Sequence, residues 1–364
     1  MPQNIITHAI FVHTMLENVI ITQELEKDLH QAIADIQPDK LFVLTDSNTR
    51  EACLPLIQSW PCMAGAQSIT IAATDDHKDV TALGEVWSAL SRGGASRHSC
   101  LINLGGGMIT DLGGFAAATF KRGIPFINIP TTLLSMVDAS VGGKTGVNFN
   151  GLKNEVGVFR DANRVLLSTC FLNTLDTENI RSGYAEMLKH GLLSTPEMWR
   201  ELMAFPLETP DMELLQQMIG RSVAVKADIV EADPLERGIR KALNLGHTVG
   251  HAFESWAMQR KTPILHGYAV AFGMVVELYL SVAKCGFPTS LLRQATRFID
   301  DYYGTLPITC KDYPTLLELM THDKKNQDGH INFTLLGNIG DIRINQNASK
   351  EEIEEALDFF REGQ

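Results

Sequence analysis

Cysteine pairing is missing from this sequence. Its six cysteines, Cys53, Cys62, Cys100, Cys170, Cys285 and Cys310, are scattered, and no two form a CxxC pair. That excludes a zinc knuckle and a dense disulfide framework, and it points to reduced thiols in a cytoplasmic protein. Positive charge is scarce as well: 31 Lys and Arg face 43 Asp and Glu, a formal net charge of −12. So acidic a chain is not expected to bind nucleic acid or an anionic membrane nonspecifically. Any anionic ligand must be met by a local cluster of cations. No low-complexity tract occurs, and Met1 is followed by polar residues rather than a basic and apolar leader. No apolar run approaches the roughly 20 residues of a membrane span.

Hydrophobic residues, by contrast, make up 45% of the chain, ample for a buried core, and 364 residues suffice for two domains. LFVLTD (41–46), SITIAA (68–73), CLINLGGG (100–107) and FINIPTT (126–132) read as strands, separated by segments with apolar residues at helical spacing. Continuous apolar strands alternating with helices predict a parallel sheet covered on both faces. Beyond about residue 180 the pattern turns to long helices. A late strand pair, HINFTLL and DIRIN, and a terminal acidic helix complete it. The expected architecture is an α/β nucleotide-binding, Rossmann-like domain over residues 1–178 and a mainly α-helical domain over 179–364.

Two segments carry anion-binding chemistry. After the strand at 100–104 come Gly105, Gly106 and Gly107, with a helix expected to open near Asp111. Glycines let a backbone approach a pyrophosphate, and a helix N-terminus offers free N–H groups. The spacing is not GxGxxG, and three glycines alone also fit a mere tight turn. Next, IPTTLLSMVDASVGGKTG brings Thr131, Thr132, Asp138, Gly142, Gly143 and Lys144 together, either a capped strand end or an anion pocket, and Lys153 and Asn154 follow.

GHTVGH sets His247 and His251 four residues apart, on one face of a helix. Spacing alone pairs them as metal ligands, although no HExxH is present. Arg240, Asn244, His247 and His251 at i, i+4, i+7 and i+11 predict one polar stripe on one helix face.

The ordered motifs GGGMITDLGGFAAATFKRG, IPTTLLSMVDASVGGKTGVN, GLKNEVGVF, SGYAEMLKHG, NLGHTVGHAFE and HGYAVAFGM span most of the chain. Together they resemble the 3-dehydroquinate synthase family. The resemblance implies a phosphate-eliminating cyclase of the shikimate pathway that uses one NAD and one divalent cation, zinc or cobalt. Its substrate is a small anionic sugar-acid phosphate, 3-deoxy-D-arabino-heptulosonate 7-phosphate. Transient oxidation, loss of phosphate, reduction, ring opening and aldol closure give 3-dehydroquinate.

Carried over by resemblance, the metal ligands are Glu186, His247 and His266, with His251 beside metal and substrate. Lys144, Asn154, Lys189 and His251 fall near the phosphate, together with Lys324 or Lys325; Lys226 and Arg240 fall near the carboxylate, and Asn244 at ring hydroxyls. Arg122 matches an arginine that reaches a neighbouring subunit's site, which implies a homodimer. NAD contacts implied are Asp46, Asn48, Asp75, Lys78, Gly106, Gly107, Asp111, Thr131, Thr132, Asp138, Lys144, Lys153, Phe171 and Thr174. Two positions depart from the family pattern: Tyr268 replaces the glutamate of HGEAV, and Asp75 stands where a glutamate is usual. The rival readings are another sugar-phosphate cyclase, whose substrate would lack the carboxylate, and a glycerol-dehydrogenase-like enzyme, which would not need the phosphate-binding lysines.

Overall fold

The computed structural model describes residues 16–74, 77–150, 152–321 and 331–363. Ten strands occur among them: β1 Val19–Ile21, β2 Leu41–Asp46, β3 Gln67–Ile71, β4 Cys100–Gly105, β5 Phe126–Pro130, β6 Lys144–Phe149, β7 Leu152–Phe159, β8 Arg164–Leu167, β9 Asn332–Asn338 and β10 Asp341–Asn347. The first half carries α1 Leu25–Ile36, α2 Ser47–Ala52, α3 Leu54–Ile57, α4 Val80–Arg92 and α5 Gly107–Thr119. The second carries α6 Thr177–Leu193, α7 Pro196–Ala204, α8 Met212–Ala232, α9 His247–Gln259, α10 His266–Cys285, α11 Thr289–Tyr303, α12 Tyr313–Thr321 and α13 Lys350–Glu362.

Six strands make one parallel sheet in the order β1-β8-β5-β4-β2-β3. Alternate side chains of β2 explain its unbroken apolar run. Leu41 and Val43 enter one core with α1 and α3, while Phe42 and Leu44 enter the other with α4 and α5. The chain steps from β2 outward to β3, then back across to β4. The topological switch therefore lies between β2 and β4, the position beyond whose strand ends such sheets bind their ligands. The helical half packs on the α5 face and shares its core.

Several expectations need correction. The helix after the glycine run opens at Gly107, not near Asp111, which sits in its second turn. Lys144, Lys153 and Asn154 lie on an antiparallel strand pair, β6 and β7, that was not among the expected strands. The stripe through Arg240, Asn244, His247 and His251 is broken: Arg240 and Asn244 lie on a 3-10 turn, Ile239–Asn244, and α9 starts afresh at His247. The break is at Gly246, whose φ of +78° places it in the left-handed region that side-chain-bearing residues avoid. Finally, α10 is long and apolar enough to cross a membrane by composition, but 67% of that stretch is buried within the fold, as the central helix of the second core.

Candidate metal and nucleotide site

Three helices converge on one cluster. α6 contributes Glu186, Lys189 and His190, α9 contributes His247, His251 and Glu254, and α10 begins with His266. Close backbone packing makes this possible. A Cβ on Gly267 would lie 1.8 Å from the Ser182 carbonyl oxygen, and one on Gly273 would lie 2.1 Å from that of Gly246. Only glycine lets α10 approach α6 and the start of α9 so closely.

α9 has no cap from its own sequence at Gly246. Buried Glu277 of α10 supplies it, accepting from Gly246 N at 2.7 Å and Val249 N at 3.2 Å. A carboxylate at a helix N-terminus satisfies orphan N–H groups and the dipole together. It thereby fixes the helix end that carries His247.

Glu186 is fully buried, and neither of its carboxylate oxygens accepts a hydrogen bond. Lys189 stands against Oε2. Oε1 lies 3.4 Å from His247 Nε2 and 3.6 Å from His266 Nε2. Those separations are long for hydrogen bonds. They match the spacing of about 3.3–3.4 Å between ligands placed tetrahedrally around zinc at about 2.0–2.1 Å. A buried carboxylate whose Oε1 accepts no hydrogen bond, with two imidazole nitrogens beside it, thus fits a divalent cation. Both rings are oriented from behind, since His247 Nδ1 meets the Leu245 carbonyl at 3.1 Å and His266 Nδ1 meets Glu254 Oε2 at 3.2 Å, leaving each Nε2 facing inward. His251 joins the group, with donor atoms of His247, His251 and His266 all within 4.8 Å of one another.

The electrostatics follow from burial and neighbours. Burial pushes the His247 pKa down to about 4, so its ring is neutral, as a ligand must be. Burial also opposes a charge on His266, but the Glu186 and Glu254 carboxylates outweigh it and raise that pKa to about 10. Burial of Glu186 is outweighed in turn by Lys189 and His247, which hold its carboxyl well below the usual range.

Beside this cluster lie the cations. Lys226 Nζ donates to Asp138 Oδ1 and to the Asp138 carbonyl, each at 2.6 Å. Asp138 sits in a π-helical turn, Ser135–Ala139, and its carboxyl is held low by Lys226 and Lys189 against its own burial. Arg240 is buried, with Nη1 on the Pro234 carbonyl at 2.7 Å and Nη2 on that of Gly142 at 3.0 Å. A Cβ on Gly142 would meet both Arg240 and the Lys226 stem, so these two cations share one wall. Lys144 pairs with Glu236, whose other oxygen accepts from Asn244 at 3.2 Å. Lys153 pairs with Glu254 Oε1 at 2.7 Å. Asn154 is held in the left-handed region, φ +50°, within β7, a strained placement of the kind found at ligand sites.

A second set of residues lies at the sheet's switch point. Gly106 precedes α5 without a side-chain cap, and a Cβ there would come within 3.0 Å of Thr132; on Gly107 it would come within 3.2 Å of Ala139. The bare backbone and uncapped amides form a cradle that suits a dinucleotide pyrophosphate. Asp46 caps α2 through the amides of Asn48 and Thr49 at 2.8 and 2.9 Å. Buried Lys78 donates to Asp111 at 3.0 Å. Thr131 and Phe171 are buried, and Thr174 donates to the Phe171 carbonyl at 2.6 Å.

Arg122 is not among the clustered cations; it is exposed in the turn after α5, with φ +67°. Asp75, Lys324 and Lys325 lie outside the described residues. Sequence reasoning missed Glu236, Glu254, Glu277 and His190. Helical spacing could have found two of them, since Glu254 is seven residues from His247 and His190 is four from Glu186. Glu236 and Glu277 meet their partners only through tertiary packing.

Comparison with known proteins adds the following. The family profile "3-dehydroquinate synthase N-terminal" matches residues 68–182, and "3-dehydroquinate synthase C-terminal" matches residues 183–326. A 3-dehydroquinate synthase of Parabacteroides distasonis is 56% identical over 346 residues, covering 95% of this chain and 98% of the relative. One from Streptococcus pyogenes is 33% identical over 356 residues, covering 96% and 98%. Among solved structures, 2-epi-5-epi-valiolone synthase from Streptomyces hygroscopicus, with NAD+ and Zn2+ bound, superposes with a TM-score of 0.80 at 25% identity, over 95% of this chain and 97% of that one. A 2-deoxy-scyllo-inosose synthase complexed with carbaglucose-6-phosphate, NAD+ and Co2+ shares the fold with a TM-score of 0.81 at 21% identity, over 92% and 94%.

Proposed function

This chain belongs to the 3-dehydroquinate synthase family, and from that premise we propose how its own residues divide the work. The enzyme is a lyase of the shikimate pathway that converts 3-deoxy-D-arabino-heptulosonate 7-phosphate to 3-dehydroquinate and phosphate. The observation that carries the site assignment is the approach of Glu186 Oε1 to Nε2 of His247 and His266, at 3.4 and 3.6 Å, beside buried Lys189 and Lys226.

Glu186, His247 and His266 hold a divalent cation, zinc or cobalt, and the glycine cradle at Gly106 and Gly107 with the strand ends around it holds NAD. When bound, NAD supplies a reversible hydride acceptor and the cation polarises the hydroxyl being oxidised. Lys144, Asn154 and Lys189 bind the substrate phosphate, with one of Lys324 and Lys325, while Lys226 and Arg240 balance the carboxylate and Asn244 takes ring hydroxyls. His251, whose ring lies beside those of His247 and His266, holds or moves a proton at the substrate's phosphate end in this reading. Clamping both charged ends of the substrate makes elimination and ring closure effectively unimolecular. Glu236 and Glu254 keep Lys144 and Lys153 paired until anionic ligands compete for them.

The division at residues 178 and 179 separates nucleotide binding from metal binding in this reading, and the setting is cytoplasmic. A homodimer is supported by exposed Arg122 and by the exposed apolar side chains of β7, of which Leu152 is 53% exposed. The deciding experiment incubates the purified protein with the substrate and NAD. Phosphate release without net NADH formation is expected. Accumulating NADH, as from a dehydrogenase, or no phosphate would refute the reading.

A further inference from the structure

Arg240 is a buried cation whose hydrogen bonds go to neutral groups. Its Nη1 donates to the Pro234 carbonyl at 2.7 Å and its Nη2 to that of Gly142 at 3.0 Å. Nε is buried with no hydrogen-bond partner, and no carboxylate among the described residues forms an ion pair with the guanidinium. A buried charge in that condition is costly, and its unused N–H groups suit an anion that the protein itself does not supply.

One further contact of this arginine comes from the other half of the chain. The Arg240 Cζ lies over the ring of Phe159, 5.7 Å from its centroid. Phe159 ends β7 directly opposite Lys144, the first residue of β6, so the two side chains stand on one face of the hairpin. The Arg160 amide closes this end of the pair on the Gly143 carbonyl at 2.7 Å. Gly142 and Gly143, at φ +101° and +69°, turn the chain here, and both the Gly142 carbonyl and the Phe159 ring reach the same guanidinium. Lys144, on that face, pairs with Glu236, which also accepts from Asn244. The ring therefore stands among the residues read as binding the substrate. Phe159 is 56% exposed, so burial of its own surface does not account for its place.

We propose that Phe159 is a specificity-determining residue for the substrate carboxylate: its ring holds the Arg240 guanidinium in one plane and leaves the unused N–H edge open to that carboxylate. The proposal rests on the reading of Arg240 as the carboxylate's partner. A planar guanidinium stacks on an aromatic face and still donates from its edge. Two carbonyls fix two of its nitrogens, and the electron-rich face of the ring holds the plane itself. A group fixed in this way meets a planar carboxylate without first losing rotamer freedom. An aliphatic side chain of similar size would cover the same area and lack the attraction.

The test measures kcat and KM for the substrate, and inhibition by inorganic phosphate, in holoenzyme carrying Phe159→Leu, Phe159→Tyr or Arg240→Met. In Phe159→Leu, KM is expected to rise about 2–10-fold, the cost of immobilising one long side chain, with kcat and phosphate inhibition near parental. Phe159→Tyr keeps the aromatic face and is expected to keep the parental KM. Parental KM in Phe159→Leu, or a tyrosine variant no better than leucine, would overturn the proposal. Phosphate inhibition weakened by the same factor would do so too, because a distorted hairpin disturbs Lys144 opposite Phe159 and acts on the phosphate end. Should Phe159→Leu fail to fold, Phe159→Met, equally without a ring, is judged in the same way. Arg240→Met separates the two readings. Parental KM there sinks the assignment of Arg240 to the carboxylate; a raised KM there, with parental KM in Phe159→Leu, removes only the role of Phe159.

Discussion

His266 Nδ1 is held 3.2 Å from Glu254 Oε2, a carboxylate seven residues beyond His247 on the neighbouring helix. An imidazole braced by a carboxylate is oriented, and its free nitrogen becomes a better ligand. In this chain Tyr268 stands where a second glutamate was expected, and its ring packs on Tyr303 at 5.0 Å instead. Glu254 thus provides the carboxylate that bears on His266. Glu254→Gln is expected to weaken zinc retention about 10–100-fold. Dialysis against graded chelator, followed by metal analysis, measures it. Retention equal to the parent's would show that the brace is dispensable.

His247 and His251 share a helix face, with ring centroids 5.4 Å apart, yet they are expected to fail differently. His247→Ala should lose the metal. His251→Ala should keep it and turn over about 10²–10⁴-fold more slowly, the range for a lost proton-transfer group. Metal content and kcat measured on the same preparations decide between these roles, and equal metal loss in both would refute the division.

Glu277 is a buried cap whose two oxygens serve two amides of a helix start. Hydrogen bonds to charged groups are worth about 1.5–3 kcal/mol each, so Glu277→Leu should destabilise the fold by about 3 kcal/mol or more. Urea unfolding of the metal-free protein gives the value. A change below about 1 kcal/mol, on the order of a single neutral bond, would contradict the capping role.

Three histidines set a pH optimum for the metal-free protein. His190 and His247, depressed by burial to about 3 and about 4, stay neutral in the fold while the unfolded chain protonates them below about pH 6.5. The unfolded state then binds more protons, so stability falls with falling pH, by up to about 1.4 kcal/mol per unit for each group. His266, raised to about 10 by Glu186 and Glu254 against its burial, acts in the opposite direction. Its contribution is whole below about pH 6.5 and is lost as pH rises toward 10. Unfolding midpoints of chelator-treated protein at pH 5, 7 and 9 should therefore peak near 7. A flat profile from 7 to 5 would contradict the buried neutral rings.

Local pattern was enough for four strands of the sheet, β2 to β5. Continuous apolar runs at Leu41–Asp46 and Cys100–Gly105 mark strands buried on both faces, because each alternate side chain finds a core. β1 and β8 escaped notice because three or four residues carry too little periodicity. The hairpin β6–β7 escaped for another reason: the glycines and lysines at its start read as a capped strand end or an anion pocket. Composition demanded a local cluster of cations, and ordered motifs pointed to which lysines and histidines would form it.

Only the tertiary structure decided how those groups meet. Helical spacing put His247 beside His251, and it could not bring Glu186 within 3.4 Å of His247 from sixty-one positions earlier in the chain. That contact depends on α6, α9 and α10 packing closely enough for Gly267 and Gly273 to touch neighbouring backbone. It depends equally on Gly246 turning the chain so that α9 begins at His247 rather than continuing the turn before it. A sequence specifies which donors exist and which faces they share. Close packing of distant segments, which no local pattern encodes, brings three of those donors together as the proposed metal site and sets Glu254 against one of them.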